Sequence, residues 1–141
     1  MCGFNDVGNV PNLYRSIKSF SNTNNTTQRP VIKFICYSLM SNHFHFLVQQ
    51  IEDGEASKFM QRLGTGYTLY FNKRHKGNGV LFHGVFKAKH VSTNAYLLHL
   101  SRYIHLNVLS LTQRDWKEKG VKDKDNSYRF LLTYKWHSLS C

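Results

Sequence analysis

The sequence predicts an α+β domain, and two observations carry that expectation. Val31–Ser38 and His43–Gln50 are apolar, β-favouring runs joined by the short connection Leu39-Met40-Ser41-Asn42, the pattern of an antiparallel hairpin. Ala56–His75 and Ala95–Asn107 instead space their apolar residues at the helical period.

Taken in order, residues 1–12 read as irregular, and Leu13, Tyr14, Ile17 and Phe20 have the spacing of a short helix near 11–20. Ser21 to Arg29 is a polar loop, followed by the hairpin, which Asp53-Gly54-Glu55 ends. In the helix from Ala56, the stripe Phe59, Met60, Leu63, Tyr67, Tyr70 and Phe71 is interrupted by Gly64 and Gly66. Each glycine weakens a helix by about 1 kcal/mol relative to alanine. Lys76-Gly77-Asn78-Gly79 is a turn, and Val80–Val91 reads as an irregular stretch leading into a strand. Ser92-Thr93-Asn94 supplies capping side chains for the helix from Ala95. Leu111–Asn126 is expected to be a polar surface segment, and Phe130–Trp136 a last short strand or docking segment.

The chain has 141 residues, one domain by length. No apolar run of about 18 residues suggests a membrane span, and Met1-Cys2-Gly3-Phe4-Asn5 lacks the pattern of a signal peptide. Cys2, Cys36 and Cys141 are scattered, which argues against a disulfide framework and a thiolate zinc site. A reducing, cytoplasmic setting follows as the default. Charge is the strong compositional signal: 19 Lys and Arg against 8 Asp and Glu, a net +11. Such an excess favours a polyanionic partner. Basic residues also alternate with aromatics, as in Tyr70-Phe71-Asn72-Lys73-Arg74, Phe86-Lys87 and Arg102-Tyr103. Base stacking combined with phosphate contact needs that interleaving.

His43-Phe44-His45 is the most informative triplet. Alternate residues of a strand share a face, so both imidazoles would project from one side, with Phe44, Phe46 and Val48 facing the core on the other. Two imidazoles on a rigid sheet are half of a divalent-cation site. On the second helix Tyr103 and Asn107 are one turn apart. Asn107 can therefore offer an amide oxygen to the cation while Tyr103 places its phenol nearby. Mg²⁺ or Mn²⁺ would suit such a site and accept phosphate oxygens as well. A phosphodiester needs Lewis-acid help, and a tyrosine, with pKa ~10, needs activation as a nucleophile. The cation and a basic neighbour such as Arg102 or Lys89 would supply it. Each piece has a bland alternative: a structural histidine, a core tyrosine, a capping asparagine. The joint spacing and order are what point to metal-assisted strand cleavage by a tyrosine.

Four blocks then resemble a family. Tyr37-Ser38-Leu39-Met40-Ser41-Asn42-His43-Phe44-His45-Phe46-Leu47-Val48 is similar to the signature strand of the single-tyrosine HUH transposases, closest to the REP-associated branch. Ser57–Leu63 with Tyr70–His75, Gly79–Lys87 and Tyr96–Asn107 fit the same branch, and Tyr134-Lys135-Trp136-His137-Ser138 resembles its tail. The resemblance implies a ferredoxin-like antiparallel sheet with helices packed on it. It implies that His43 and His45 hold the cation, that Asn107 completes the site, and that Tyr103 is the nucleophile. It also implies single-stranded or hairpin DNA as substrate, a 5′-phosphotyrosine link with a free 3′-OH, and no need for ATP.

Two departures accompany it. Val108 follows Asn107 where the family usually has proline, and Met1–Val10 makes a poor version of the usual first strand. The expectation is thus a single HUH-type domain over 1–141 that is N-terminally truncated. Arg62, Lys73, Arg74, Lys87, Lys89 and Arg102 are the candidate DNA contacts. His83, His90, His99 and His105 are weaker rivals for the cation, and His105 is expected to pack or to contact DNA. The competing readings are a noncatalytic DNA-binding remnant with the same fold, and a replication-initiator or relaxase nuclease, which the short length disfavours. Monomer and homodimer both remain compatible with the sequence.

Overall fold

The structure is a computed structural model, described here for residues 29–140. The expected helix near 11–20 and the doubtful first strand lie outside the described residues. Among the described residues the architecture is α+β: a two-stranded antiparallel sheet with helices, consistent with a ferredoxin-like fold. Strand β1 is Ile32–Leu39 and β2 is Phe44–Gln50. Met40 N–H bonds the His43 carbonyl at 2.8 Å and closes the turn between them. Four helices follow: α1 Glu55–His75, α2 Asn94–Leu106, α3 Trp116–Lys119 and α4 Lys124–Thr133. A 3₁₀ turn, Asn107–Leu111, extends α2.

The chain divides into two compact units. The first contains residues 49–88 and the hairpin base, where Ile51 N–H bonds the Val31 carbonyl at 3.1 Å. Its helix α1 starts after Gly54, whose φ of 79° suits a residue without Cβ. Glu55 is buried in the first turn and takes the Lys58 ammonium at 2.9 Å. At the far end the Asn72 side chain donates to the Gly79 carbonyl at 2.8 Å and holds the following turn. Among the described residues a Cβ at Gly64 would meet only Phe82, at an ordinary 4.0 Å. The strand expected before Val91 does not form; Val80 and Val85 are 80% and 85% exposed and the segment is irregular. Apolar residues alone do not make a strand without a ladder partner or a surface to cover.

The second unit comprises residues 34–48 and 89–141. Thr93 caps α2 by accepting the Tyr96 N–H at 3.2 Å. Cys36, Leu47 and Ile104 are buried together, with Val91, Leu97, Leu100 and Tyr103 packed around them. Each such leucine or isoleucine contributes roughly 1.5–3 kcal/mol by leaving water. This cluster reverses one expectation. Leu47 has the strand parity of His43 and His45, so the histidine face of β2 is the one that packs on α2. Phe44, Phe46 and Val48 are only half-buried among the described residues, and Phe44 and Phe46 stack at 4.6 Å between ring centroids. Alternation separates two faces but does not say which one a helix covers.

A second cluster joins Val108, Leu109 and Leu131, with Met40, Leu106, Trp116, Val121, Phe130 and Tyr134 against it. The polar segment after Leu111 is more ordered than its composition suggests. It holds α3 and the start of α4, which Asp123 caps by accepting the Asn126 N–H at 2.9 Å. Phe130–Thr133 is therefore helical, and the docking segment comes after it. Leu39 N–H bonds the Trp136 carbonyl at 2.7 Å, Ser38 bridges His137 antiparallel, and Tyr134 Oη donates to the Leu39 carbonyl at 2.7 Å. His137, fully buried, bonds the Leu131 carbonyl through Nε2 at 2.6 Å.

Candidate active site

His43, His45, Tyr103 and Asn107 all belong to the second unit. The hairpin turn presents His43 just before β2, and His45 follows within it. Their rings lie edge to face, 5.1 Å between centroids. Because the β2 histidine face packs on α2, the His45 ring also meets the Tyr103 ring, at 6.0 Å between centroids. Asn107 stands at the end of α2, its N–H bonded to the Tyr103 carbonyl. Its side chain is 3% exposed, and its Nδ2 lies 3.4 Å from His43 Nε2. The helix period sets the Tyr103 ring beside His45 and the Asn107 amide beside His43.

The proton positions on His43 follow from its partners. Its Nδ1 faces the Asn42 Oδ1 at 2.7 Å. A carbonyl oxygen only accepts, so Nδ1 carries a proton, and in the neutral ring Nε2 offers its lone pair toward Asn107. That orientation is the one a cation ligand needs, with the outer nitrogen holding the ring in place. His45 is held below the usual histidine range by burial first, then by the neighbouring His43 and Lys117 charges. It is therefore neutral at neutral pH, the form that binds metal. The Asn107 amide reaches the same lone pair, and turning it over presents its oxygen instead. Among the described residues no group of three or more His, Cys, Asp or Glu side chains gathers at a metal-binding spacing. The two-histidine, one-amide set is chemically suited to a hard or borderline divalent cation with positions left for phosphate oxygens.

One residue at this site was not legible in the sequence. Lys117, on α3, donates from Nζ to the Tyr103 phenol oxygen at 2.8 Å, with Nζ 4.7 Å from that ring's centroid. It comes from the segment read as polar surface, and no spacing rule connects it to Tyr103. The neighbours expected to assist the phenol are placed differently. The Lys89 ammonium sits over the Tyr96 ring at 5.0 Å, and Arg102 is exposed on α2.

The remaining candidates separate by unit. Arg62, Lys73 and Arg74 lie on α1, and Lys87 on the exposed segment after it, in the first unit; Lys89 and Arg102 are in the second. His83, His90 and His99 are exposed. His105 turns away toward the tail, its Nε2 3.0 Å from the Ser138 hydroxyl and its ring 6.0 Å from that of His137. Burial of Cys36 pushes its thiol up, which leaves it an unreactive core residue. No described helix is long and apolar enough to cross a membrane.

No curated protein and no solved structure matches the chain. A family model does: the one described as "Transposase IS200 like" covers residues 14–107, more than half of the chain, from ahead of the hairpin to Asn107. The chain belongs to the IS200-like transposases, the single-tyrosine HUH family of DNA-acting enzymes.

Proposed function

We propose that this chain cleaves and rejoins single-stranded DNA, with hairpin DNA as the preferred substrate, as a member of the REP-associated branch. The observation that supports the reading most is the meeting of the Tyr103 ring with His45 while Asn107 reaches His43, 64 positions away. In this reading His43, His45 and Asn107 hold Mg²⁺ or Mn²⁺. The cation would polarise the scissile phosphate and offset charge in the transition state.

The rest of the chemistry is done by the chain. The Tyr103 phenol oxygen attacks phosphorus and forms a 5′-phosphotyrosine link; the bond to the 3′ oxygen breaks, and that oxygen ends as a free hydroxyl. Rejoining reverses the exchange: a 3′-hydroxyl attacks the phosphotyrosine and the phenol leaves. One phosphodiester is traded for another, so no nucleotide cofactor is consumed. Neutral His45 serves the site best above its lowered range, because a protonated imidazole cannot bind a cation. Within each unit the basic side chains, Arg62, Lys73, Arg74 and Lys87 in the first and Lys89 and Arg102 in the second, would contact phosphates.

The test is a denaturing gel with labelled hairpin oligonucleotides and Mn²⁺ or Mg²⁺, comparing wild type with Tyr103→Phe. A metal-dependent protein–DNA band that vanishes in the variant is the expected result. DNA binding with no covalent band, across varied hairpins and both metals, would instead make the chain a noncatalytic binding remnant.

A further inference from the structure

Lys117 is anchored in a way an ordinary surface lysine is not. The helix that carries it is only four residues long, yet both of its ends are tied down. The Asp115 carboxylate takes Lys119 at 3.2 Å and Lys122 at 3.3 Å, and its carbonyl accepts the N–H groups of Glu118 and Lys119. Those two ammonium groups hold the Asp115 carboxyl below its usual range. On the inner side Trp116 packs against the Val108, Leu109 and Leu131 cluster. Successive helix residues point about 100° apart, so fixing Trp116 inward aims Lys117 across to α2. Its Nζ then meets the Tyr103 phenol, whose ring stands beside His45.

The approach is from the side of the ring. Nζ is 2.8 Å from the phenol oxygen but only 4.7 Å from the ring centroid, so it does not lie out along the C–O axis. Nζ therefore occupies one lone-pair direction of the oxygen, and the other is left for phosphorus. The same contact also limits rotation of the phenol about its own side chain. Fixed donors aimed at an atom whose charge changes during reaction lower barriers, because they need no rearrangement at that moment.

We propose that Lys117 is a further catalytic residue of the strand transfer, its ammonium holding the Tyr103 phenol oxygen during attack on phosphorus and again when that oxygen departs on rejoining. The inference rests on Tyr103 being the nucleophile. As the Tyr103 oxygen bonds to phosphorus, its proton passes to water and the departing 3′ oxygen takes a proton from water; Lys117 donates a hydrogen bond throughout and is unchanged at the end. No co-reactant is required.

The experiment measures single-turnover covalent-adduct formation at saturating hairpin DNA, with DNA affinity and melting temperature, for wild type, Tyr103→Phe, Lys117→Met and Lys117→Arg. Lys117→Met should slow adduct formation about 10²-fold, the lower end for loss of one such donor. Its DNA affinity should stay within about 3-fold and its melting temperature should match wild type, since a single exposed contact is worth little to either. Lys117→Arg should recover about 10-fold, because it restores a positive donor of different shape. An adduct rate for Lys117→Met within about 3-fold of wild type, beside a wild type that works and a Tyr103→Phe that does not, overturns the role of Lys117 alone. A Lys117→Met defect confined to DNA affinity overturns it too, by making the lysine a phosphate contact. A wild type that forms no adduct removes the parent reading and this inference with it.

Discussion

Replacing Asn107 by leucine separates its two possible roles, cation ligand and helix cap. The cap is made by backbone: the Asn107 N–H bonds the Tyr103 carbonyl and its own carbonyl accepts the Ser110 hydroxyl, and leucine keeps both groups. The amide side chain reaches only to His43 Nε2, at a long 3.4 Å. Losing so weak a contact from a 3%-exposed position, with an apolar side chain in its place, changes the metal-free stability little. The metal-bound protein should behave differently. At Mn²⁺ one hundred times its dissociation constant, binding stabilises the folded state by about 2.7 kcal/mol. Removing a neighbour of a metal ligand costs about 10–100-fold in affinity, and removing a ligand should cost at least that. At the same Mn²⁺ the variant would keep roughly 0.4–1.4 kcal/mol. For 141 residues the unfolding entropy is about 0.3 kcal/mol per kelvin, so the Mn²⁺-induced rise in melting temperature should drop from about 9 °C to about 1–5 °C. Thermal unfolding across a Mn²⁺ titration, checked by calorimetric binding, reads this directly. An equal rise in both proteins would remove Asn107 from the ligand set. No rise in wild type would remove the histidine pair as a metal site.

Other outcomes follow from the same geometry. Mixing Tyr103→Phe with His43→Ala should restore no cleavage, because the rings of His45 and Tyr103 meet within one chain; recovered activity on a gel would show that sites are shared between chains. Tyr134→Phe removes the hydrogen bond to the Leu39 carbonyl and should cost about 1 kcal/mol, or about 3 °C in melting temperature; an unchanged melting curve would mean that the tail does not brace the hairpin. His105 is held below the usual histidine range by burial first and then by His137. The unfolded chain therefore takes up a proton before the folded one does. The stability from neutral His105 is full above about pH 6.5 and is lost as pH falls through its lower folded value, with His45 acting in the same direction. Melting temperatures should decline below that pH, less steeply in His105→Asn; a flat profile in both would contradict the burial argument.

The parts legible in sequence were those whose signal is local. The hairpin from Val31 to Gln50 and the helix before Asn107 each repeat a period over many residues, and Thr93 marks a helix start by capping chemistry. His43, His45, Tyr103 and Asn107 could be nominated because two short motifs each place a pair on one face. What was not legible depends on long-range packing. That α2 covers the histidine face depends on Leu47 meeting Ile104 and Cys36, which no window contains. Lys117 reaches Tyr103 only because Trp116 is drawn into another cluster. The tail's pairing with β1 rests on Trp136, His137 and Ser138, too few residues to show a period.

The tail's pairing with β1 has a consequence for the order in which the molecule comes into being. Tyr37 N–H bonds the Ser138 hydroxyl, a contact spanning 101 positions. At about 5–20 residues per second, a ribosome takes roughly 5–20 s to travel between them. For that interval the strand leading into the histidine turn lacks its neighbour on that edge, and an unpaired edge is open to pairing with other chains. The nascent protein can form α1 and α2 early, but the frame around His43 closes only after residue 138 has been made. Assembly of the site at His43 therefore waits on translation of the tail segment that pairs with β1.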